Sequence, residues 1–487
     1  MAKPPSARQG RDLTTGPIAS TLLIFALPVL GSNVLQSLNG SINAVFVGRF
    51  LGETALAATS NANLILFLLL GAVFGLGLAA TILVAQSFGA RDIAQAKRVV
   101  GTSAAFFVLL SAALATLGFI YVDEILLLLG TPADALPLAR DYLRIIFIAV
   151  PPMNLLSFVM TILRGAGDSR TPFAFMALAV ALDIVLNPFL ITGLGPFPAM
   201  GIAGSAMSTL IGQSISALAI LVLLYRRRHP LALRGNDLGL LRPDFRLLRI
   251  IVMKGIPMGL QMIVISVSAL MLMGLVNTFG SQTAAAYGVA AQLWTYVQMP
   301  ALAIGAAVSS MAAQNVGAGK WDRVSRITRS GVVYSLVMTG ALILLLTLLD
   351  KPALALFLGS DSEALPIARH IHLVATWGFL FFGVSLVLFG TVRANGQVVW
   401  PLIILFVSMY PVRLGFALGT YDWLGSDALW LSFPIGMLAT CIMAVALYLH
   451  GGWRRSRMEV AETPHHEECI EHAEASKEPG GALSPAG

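Results

Sequence analysis

Twelve long apolar runs divide the chain from Ile18 to His450, and each is long enough to cross a membrane. A helix needs about 20 apolar residues to span the hydrocarbon core of a bilayer. Because short polar segments separate the runs, the sequence predicts an all-α, polytopic fold of twelve transmembrane helices. The predicted spans are 18–47, 56–85, 99–122, 140–163, 173–193, 202–225, 247–277, 285–313, 327–349, 367–392, 400–418 and 427–450.

The composition excludes a soluble enzyme. Only 11% of the 487 residues are charged, against roughly 25% in an ordinary soluble domain, and the mean hydropathy is +0.82. A soluble protein of this composition would expose large apolar patches. We therefore expect a chain surrounded by the lipid bilayer, with no enzymatic activity, no cofactor, no nucleic acid partner and a monomeric state.

The basic residues predict the orientation in the membrane. If the N-terminus is cytoplasmic, 25 of the 31 lysines and arginines fall in cytoplasmic segments. This asymmetry is the positive-inside pattern of membrane proteins. It predicts a multi-pass protein of a bacterial inner membrane with both termini in the cytoplasm.

The two halves of the chain repeat one another with a shift of 229 residues. Pro28 corresponds to Pro257, and LGTPADALPLAR at 129–140 corresponds to LGSDSEALPIAR at 358–369. Six helices per copy bring the second copy into the membrane from the same side, so the repeats are parallel and predict two six-helix bundles, a common transporter design. The predicted organisation is a cytoplasmic arm 1–17, an N-terminal lobe 18–225, a cytoplasmic connector 226–246, a C-terminal lobe 247–450 and a disordered acidic tail 451–487.

The punctuating motifs resemble those of the multidrug and toxic compound extrusion (MATE) family over about residues 15–450. The most specific are LPVLGSNVLQSLNGSINAVFVGRFLG at 27–52, the pair QSFGARDIAQAKR and QNVGAGKWDRVSR, and the pair LRGAGDSRTPF and VRANGQVVWP. The resemblance implies two bundles and antiport of organic, often cationic, compounds against protons or sodium ions. It is closest in pattern to the DinF-like branch.

One carboxylate is the candidate for ion coupling. Asp183 is the only acidic residue in the interior of a predicted span, away from its ends, and intramembrane carboxylates are functional candidates by default because they are costly. The resemblance implies an Asn and an Asp at this spacing in the fifth helix, here in exchanged order, and an Asp where this chain has Asn43. The predicted coupling site is Asp183 with the polar neighbours Asn187, Asn43, Asn39 and Thr209; the alternative is a structural carboxylate held between helices. A single carboxylate favours protons over sodium ions.

Pro28 is the candidate gating residue. A proline inside a helix removes one backbone hydrogen bond and is expected to kink the first helix. The family resemblance implies that bending of this helix closes the cavity of the N-terminal lobe. A static kink is the alternative.

Substrate contacts are expected on adaptable apolar and amide surfaces of the fourth, seventh and eighth helices. The alternative is that these side chains pack or face lipid. Arg413 could attract an anion, but we expect it to reach the membrane interface. The substrate-binding candidates are Gln261, Asn277, Gln292, Tyr296, Met299, Phe158 and Met160.

Two other functions stay open at this stage. A lipid-linked oligosaccharide flippase of the same wider superfamily would show several cavity arginines, and a non-transporting membrane scaffold would have no need of the repeat or of Asp183. No phosphate-binding lysine loop is present in the sequence. His465, His466, Cys469 and His472 in the tail could hold a soft metal, but we expect a solvated tail and no metal site.

Overall fold

The computed structural model describes residues 12–128, 130–195, 197–359, 362–455 and 458. Most of the acidic tail, with its histidines and Cys469, and the first eleven residues lie outside the described residues. The chain is all-α in the described part, and the long helices are α1 Ile18–Leu51, α2 Glu53–Gly89, α3 Ile93–Ile120, α4 Leu136–Gly165, α5 Arg170–Thr192, α6 Ile202–Arg226, α7 Phe245–Asn277, α8 Ser281–Gly317, α9 Trp321–Leu348, α10 Ala364–Ala394, α11 Val399–Gly419 and α12 Asp427–His450.

The twelve-helix prediction is confirmed in the described residues. Ten of these helices are individually long and apolar enough to cross a membrane, and α10 makes an eleventh span in two pieces bent by 45°. The remaining helix, α2, has 37 residues and covers the second predicted span. Several helices begin or end a few residues outside the predicted bounds, because polar residues extend them past the apolar core. Asp92, for example, caps α3 by accepting a hydrogen bond from the backbone N–H of Gln95.

Three helices are interrupted in the C-terminal half. The helix α8 is interrupted at Gln298, just before Pro300, and α10 breaks between Ala375 and Gly378. In α11 the residues Ser408–Leu414 form a π-helical turn. Short helices lie outside the long ones: Val122–Leu128, Asp350–Leu358, Tyr421–Leu424, and the 3-10 turns Gly235–Leu241 and Gly452–Arg455.

Helices α1–α6, here called the N-terminal lobe, pack against one another, as do helices α7–α12, the C-terminal lobe. The lobes meet where α2 contacts α7 and α8, and where α1 contacts α8. At the α2–α7 contact, Gly75 lies directly against Gly255 and Gly259, so that a Cβ atom at residue 75 would overlap their backbones. Small residues allow this close helix approach in membranes.

The repeat produces a reciprocal contact between the lobes where α2 and α8 end. Gly89 touches the backbone of Gln314, and Gly317 touches the backbone of Gln86. The Gln86 side-chain amide donates to the carbonyl of Ala394 at 2.6 Å, and the Gln314 amide donates to the carbonyl of Gly165 at 2.9 Å. Each glutamine therefore binds the end of a helix in the opposite lobe. The motif pair QSFG and QNVG joins the two lobes at one end of the molecule.

The residues before α1 reinforce this junction. In this segment, 12–17, which we call the arm, the backbone of Leu13 is bound by the side chains of Gln314 and Asn315, and Lys320 donates to the carbonyl of Thr14 at 2.9 Å. Leu13 is fully buried. Burial raises the pKa of the adjoining Asp12, but the hydrogen bonds from Thr14 and nearby basic groups outweigh it, so its pKa lies below its ordinary value. The arm thus ties the start of α1 to the C-terminal lobe.

Candidate functional site

Two pairs of polar side chains join α1 to α5 inside the N-terminal lobe. The Asn39 amide donates to Asp183 Oδ2 at 2.8 Å, and one turn further along, the Asn187 amide donates to Asn43 Oδ1 at 2.7 Å. Residues four apart lie on the same face of a helix, which explains why both pairs form along one contact. The exchanged order of Asp and Asn in α5 therefore places the carboxylate opposite Asn39.

Helix α6 completes this cluster with three hydroxyl groups. Ser208 donates to Asp183 Oδ1, Thr209 lies 3.3 Å from both carboxylate oxygens, and Ser205 donates to Asn43 Oδ1 at 2.7 Å. All five predicted coupling residues are therefore in one network, which we call the carboxylate cluster. The serines were missed from the sequence, although their spacing with Thr209 places all three hydroxyls on one face of α6.

The carboxylate cluster is shielded from solvent and carries one charge-bearing group. Asp183 is 4% exposed and Asn187 is 1% exposed. Among the four ion pairs of the described residues, none includes Asp183. The ionised carboxylate is stabilised by neutral donors alone, which supply hydrogen bonds without fixing the charge. Such a group can take up or release a cation without breaking a salt bridge.

The cluster also contains acceptor capacity that nothing in the described residues uses. The side-chain oxygen of Asn187 is buried and has no hydrogen-bond donor. Tyr142 of α4 is buried beside Asn43 and Asp183. The cluster thus contains one unused side-chain oxygen, that of Asn187, beside the oxygens of Asp183 and Asn43 that already accept hydrogen bonds. Their chemistry fits a proton on the carboxylate or a hard cation among the oxygens.

Pro28 lies in the first half of α1, which is a continuous helix from Ile18 to Leu51. The carbonyl of Pro28 accepts a hydrogen bond from the Ser32 hydroxyl at 2.9 Å. The helix around it packs on α8, where Phe25, Ala26 and Val29 are buried with residues of the opposite lobe. Its gating role stays a prediction.

The structure does not bring the predicted substrate-binding residues together. The amide of Gln261 donates to the carbonyl of Val398 at 3.2 Å, so this buried side chain holds the start of α11. Phe158 packs on Phe107 at 4.9 Å, inside the core of the N-terminal lobe. The others are dispersed: Met160 and Met299 are buried, Gln292 and Tyr296 are half-buried, and Asn277 is exposed at the end of α7. Their role as substrate contacts stays a prediction.

The expected location of Arg413 is wrong. Its side chain does not reach the membrane interface but is buried, with 6% of the residue exposed, and its guanidinium carbon lies 3.8 Å from the ring centre of Phe433. The π-helical turn directs it between α11 and α12, where Gly436 leaves room for its methylene groups. A close aromatic face and a glycine on a helix distant in sequence could not be inferred from the residues around Arg413.

The chain is similar to MATE transporters in sequence and in structure. A family model described as MatE matches residues 28–189 and 257–418, two segments whose starts are 229 residues apart. A relative named as a probable multidrug resistance protein, YoeA of Bacillus subtilis, is 36% identical over 90% of this chain and 95% of its own length. A protein of Shewanella oneidensis named as an FAD transporter is 27% identical over 90% and 95% of the two chains.

Solved structures have the same fold. One described as the outward-facing conformation of a multidrug resistance MATE family transporter of the MOP superfamily superimposes with a TM-score of 0.82. Its sequence is 21% identical, and the match covers 92% of this chain and 98% of that one. The spacing of the two segments matched by the family model equals the repeat found in the sequence.

Proposed function

This chain belongs to the MatE family of multi-pass membrane transporters, and from that membership we propose that it is a secondary active antiporter. It exports organic, cationic or amphipathic compounds in exchange for protons, and it catalyses no chemical reaction. The carboxylate cluster carries the proposal, because it provides one exchangeable charge in the membrane interior. We place the chain, as a monomer, in a bacterial inner membrane with both termini in the cytoplasm, and in the DinF-like branch because its intramembrane carboxylate lies in α5.

Protonation of Asp183 would rearrange the cluster because it changes how many hydrogen bonds the carboxyl group donates and accepts. The ionised carboxylate accepts from Asn39, Ser208 and Thr209. A protonated carboxyl group must instead donate one hydrogen bond, and it has less acceptor capacity left. The hydroxyls of Ser208 and Thr209 can rotate and accept this bond, whereas the Asn39 amide nitrogen can only donate, so a proton on Oδ2 that faces Asn39 breaks the bond that links α5 to α1. Proton binding is thereby coupled to the position of α1.

Movement of α1 connects the cluster to the junction between the lobes. The first half of α1 packs on α8, and the arm before it binds Gln314 and Lys320. With both termini in the cytoplasm, the lobes of this structure are joined at the cytoplasmic end, which is the outward-facing arrangement. In the alternating-access cycle, rearrangement of α1 around Pro28 expels substrate outward when the proton binds.

Sodium ions are the second candidate for the coupling ion. The buried side-chain oxygen of Asn187 has no donor among the described residues, and it is one turn along α5 from Asp183, so it could supply an oxygen ligand to a cation. Proton coupling is preferred because the cluster contains one carboxylate and no second negative group among the described residues. The two ions are separated by the experiment below.

Efflux of ethidium from an efflux-deficient bacterial strain tests the proposal. Wild-type chain, Asp183→Asn and the control Asp134→Asn, an exposed carboxylate just before α4, are compared under imposed proton or sodium gradients. We expect efflux that follows the proton gradient, is lost in Asp183→Asn and is retained in Asp134→Asn at equal expression. Efflux that survives in Asp183→Asn would refute the coupling site, and efflux that follows only sodium would refute proton coupling.

Flippase activity is the competing function. It predicts no ethidium efflux and requires transfer of a lipid-linked oligosaccharide across vesicles made with the purified chain. A scaffold predicts neither activity. Measuring both substrates with the same vesicle preparation separates the three functions.

A further inference from the structure

Arg413 is a buried cation without a carboxylate partner. None of the four ion pairs of the described residues includes it, and the hydrogen bond found for its guanidinium is a weak one, from Nη1 to the sulfur of Met409 at 3.6 Å. Its Nε is buried and has no acceptor. Removing a charge from water without a partner is costly. An unpaired guanidinium at this depth is therefore a candidate for binding a charge that comes from outside the chain.

Phe433 faces this guanidinium, and four further aromatic rings pack with Phe433 in the core of the C-terminal lobe. We call Tyr287, Trp294, Phe379, Trp430 and Phe433 the aromatic cluster. Trp294 lies 4.8 Å from Phe433, and Tyr287 lies 6.1 Å from both Phe433 and Trp430, measured between ring centres. These rings are buried and pack on one another, so a planar ligand stacks on their faces only by entering among them. Phe433 covers the face of Arg413 on which a ligand ring could also stack.

The repeat gives Arg413 the place in the C-terminal lobe that Asp183 has in the N-terminal lobe. A shift of 229 residues carries Asp183 of α5 to Val412 of α11, and the π-helical turn supplies one extra residue, which brings Arg413 into that position. Ser208 of α6 contacts Asp183, and the same shift carries Ser208 to Met437 of α12, the neighbour of Gly436, which lies beside Arg413. The two lobes thus carry opposite charges at equivalent sites, one among hydroxyl and amide groups and the other among aromatic rings.

We propose that Arg413 and the aromatic cluster bind the oxyanion and the ring system of a planar aromatic substrate that carries a carboxylate or phosphate group. The guanidinium has a planar fork of N–H donors that matches two oxygens of either group. The aromatic cluster binds the apolar body of the substrate, and Phe433 moves aside to admit it. This proposal rests on the proposed export function and extends its substrates to aromatic anions.

Proteoliposomes with the purified full-length chain test the proposal under an imposed proton gradient. The anionic probe is 6-carboxyfluorescein and the cationic probe is ethidium, both planar and aromatic. We expect the ratio of kcat/KM for carboxyfluorescein to that for ethidium to fall about tenfold or more in Arg413→Met. Arg413→Lys keeps the charge but loses the fork, and we expect an intermediate ratio. The control is Arg144→Met, which removes an exposed arginine that also faces a ring, that of Phe119 at 5.8 Å.

A binding measurement on the wild-type chain keeps the test independent of how the variants fold. Carboxyfluorescein bound at the aromatic cluster should quench the fluorescence of Trp294 and Trp430, and Trp430→Phe should reduce this quenching. Absence of saturable quenching in the wild-type chain would overturn the proposal, as would an unchanged transport ratio in Arg413→Met. In Asp183→Asn we expect transport of both probes to be lost and carboxyfluorescein binding to be retained, because Asp183 belongs to the coupling site. Saturable quenching without transport of either probe would refute the export function and leave the binding site supported.

Discussion

Alanine at Gly89 should separate the two lobes at the end of the molecule that carries the arm. A Cβ atom at this residue would lie 2.6 Å from the carbonyl carbon of Gln314, whereas carbon atoms in contact stay about 3.5–4.0 Å apart. The overlapping atoms belong to the backbone, so no change of rotamer relieves the overlap. Helices α2 and α8 must therefore move apart by about 1 Å.

This displacement weakens the reciprocal hydrogen bonds beside it. The bond from Gln86 to Ala394 is 2.6 Å long and that from Gln314 to Gly165 is 2.9 Å, and about 1 Å more takes both beyond ordinary hydrogen-bond length. Overpacking costs about 1–3 kcal/mol, and each hydrogen bond contributes about 0.5–1.5 kcal/mol. A destabilisation of about 2 kcal/mol shifts the equilibrium away from the joined arrangement by about 30-fold.

Cysteine labelling measures this shift. The reporter is Ala307→Cys, fully buried where α8 packs on α1, in a chain without Cys441 and Cys469. We expect an impermeant maleimide, added from the cytoplasmic side, to label the reporter about 30-fold faster with Gly89→Ala. The matched control is Gly288→Ala, which lies on α8 like the reporter and where a Cβ atom meets nothing within 4 Å. Equal labelling rates in the two variants would refute the argument.

Three further predictions concern the coupling site, the arm and an ion pair at the other end of the molecule. Asn43→Asp should keep the hydrogen bonds from α5 and α6 and add a second exchangeable carboxylate, so the number of protons moved per substrate, measured with a pH dye in vesicles, should rise; an unchanged number contradicts the assignment. Leu13→Ala should lower the free energy of unfolding by about 2–5 kcal/mol, and lower Tm in detergent, because the side chain is fully buried. Leu27→Ala, at a 54% exposed site, should change Tm little. Equal Tm shifts would contradict a stabilising role of the arm. Burial raises the pKa of Asp350, but the hydrogen bond from Arg369 outweighs this effect, so the pKa lies below its ordinary value. The ionised Asp350 therefore stabilises the folded chain above about pH 4, and this stabilisation is lost as pH falls through the lowered pKa. The Tm deficit of Asp350→Asn at pH 7 should thus disappear in acid, and a deficit independent of pH would contradict this linkage.

The fold could be predicted well because the bilayer imposes a length and an apolar composition on every span. The interruptions of α8, α10 and α11 could not, because a break in a long apolar run depends on contacts with other helices. Pro300 marks the break in α8 and Pro411 lies inside the π-helical turn of Ser408–Leu414, but Pro28 lies inside a continuous helix, so proline alone does not predict an interruption. The short helices outside the membrane carry too few residues for a clear periodicity.

The site was predictable to the extent that its residues are costly in a membrane. Asp183 was identifiable because no other acidic residue lies in the interior of a predicted span. Asn187 followed from helical spacing, whereas Asn43 followed from the family resemblance. Ser205 and Ser208 were missed because serine is common on membrane helices and carries no such cost. Arg413 was misplaced because its aromatic partners lie on other helices and only the fold brings them to it.

The two polar pairs between α1 and α5 also restrict how α1 can move along its own axis. Asn39 and Asn43 are one turn apart, as are Asp183 and Asn187, so both pairs depend on a single axial register of the two helices. A slip of α1 by one residue, about 1.5 Å along its axis, misaligns both pairs at once, and a full turn would be needed before one of them could form again. The contact therefore has no stable intermediate register. We therefore expect α1 to occupy one of two registers, one turn apart, and no register between them.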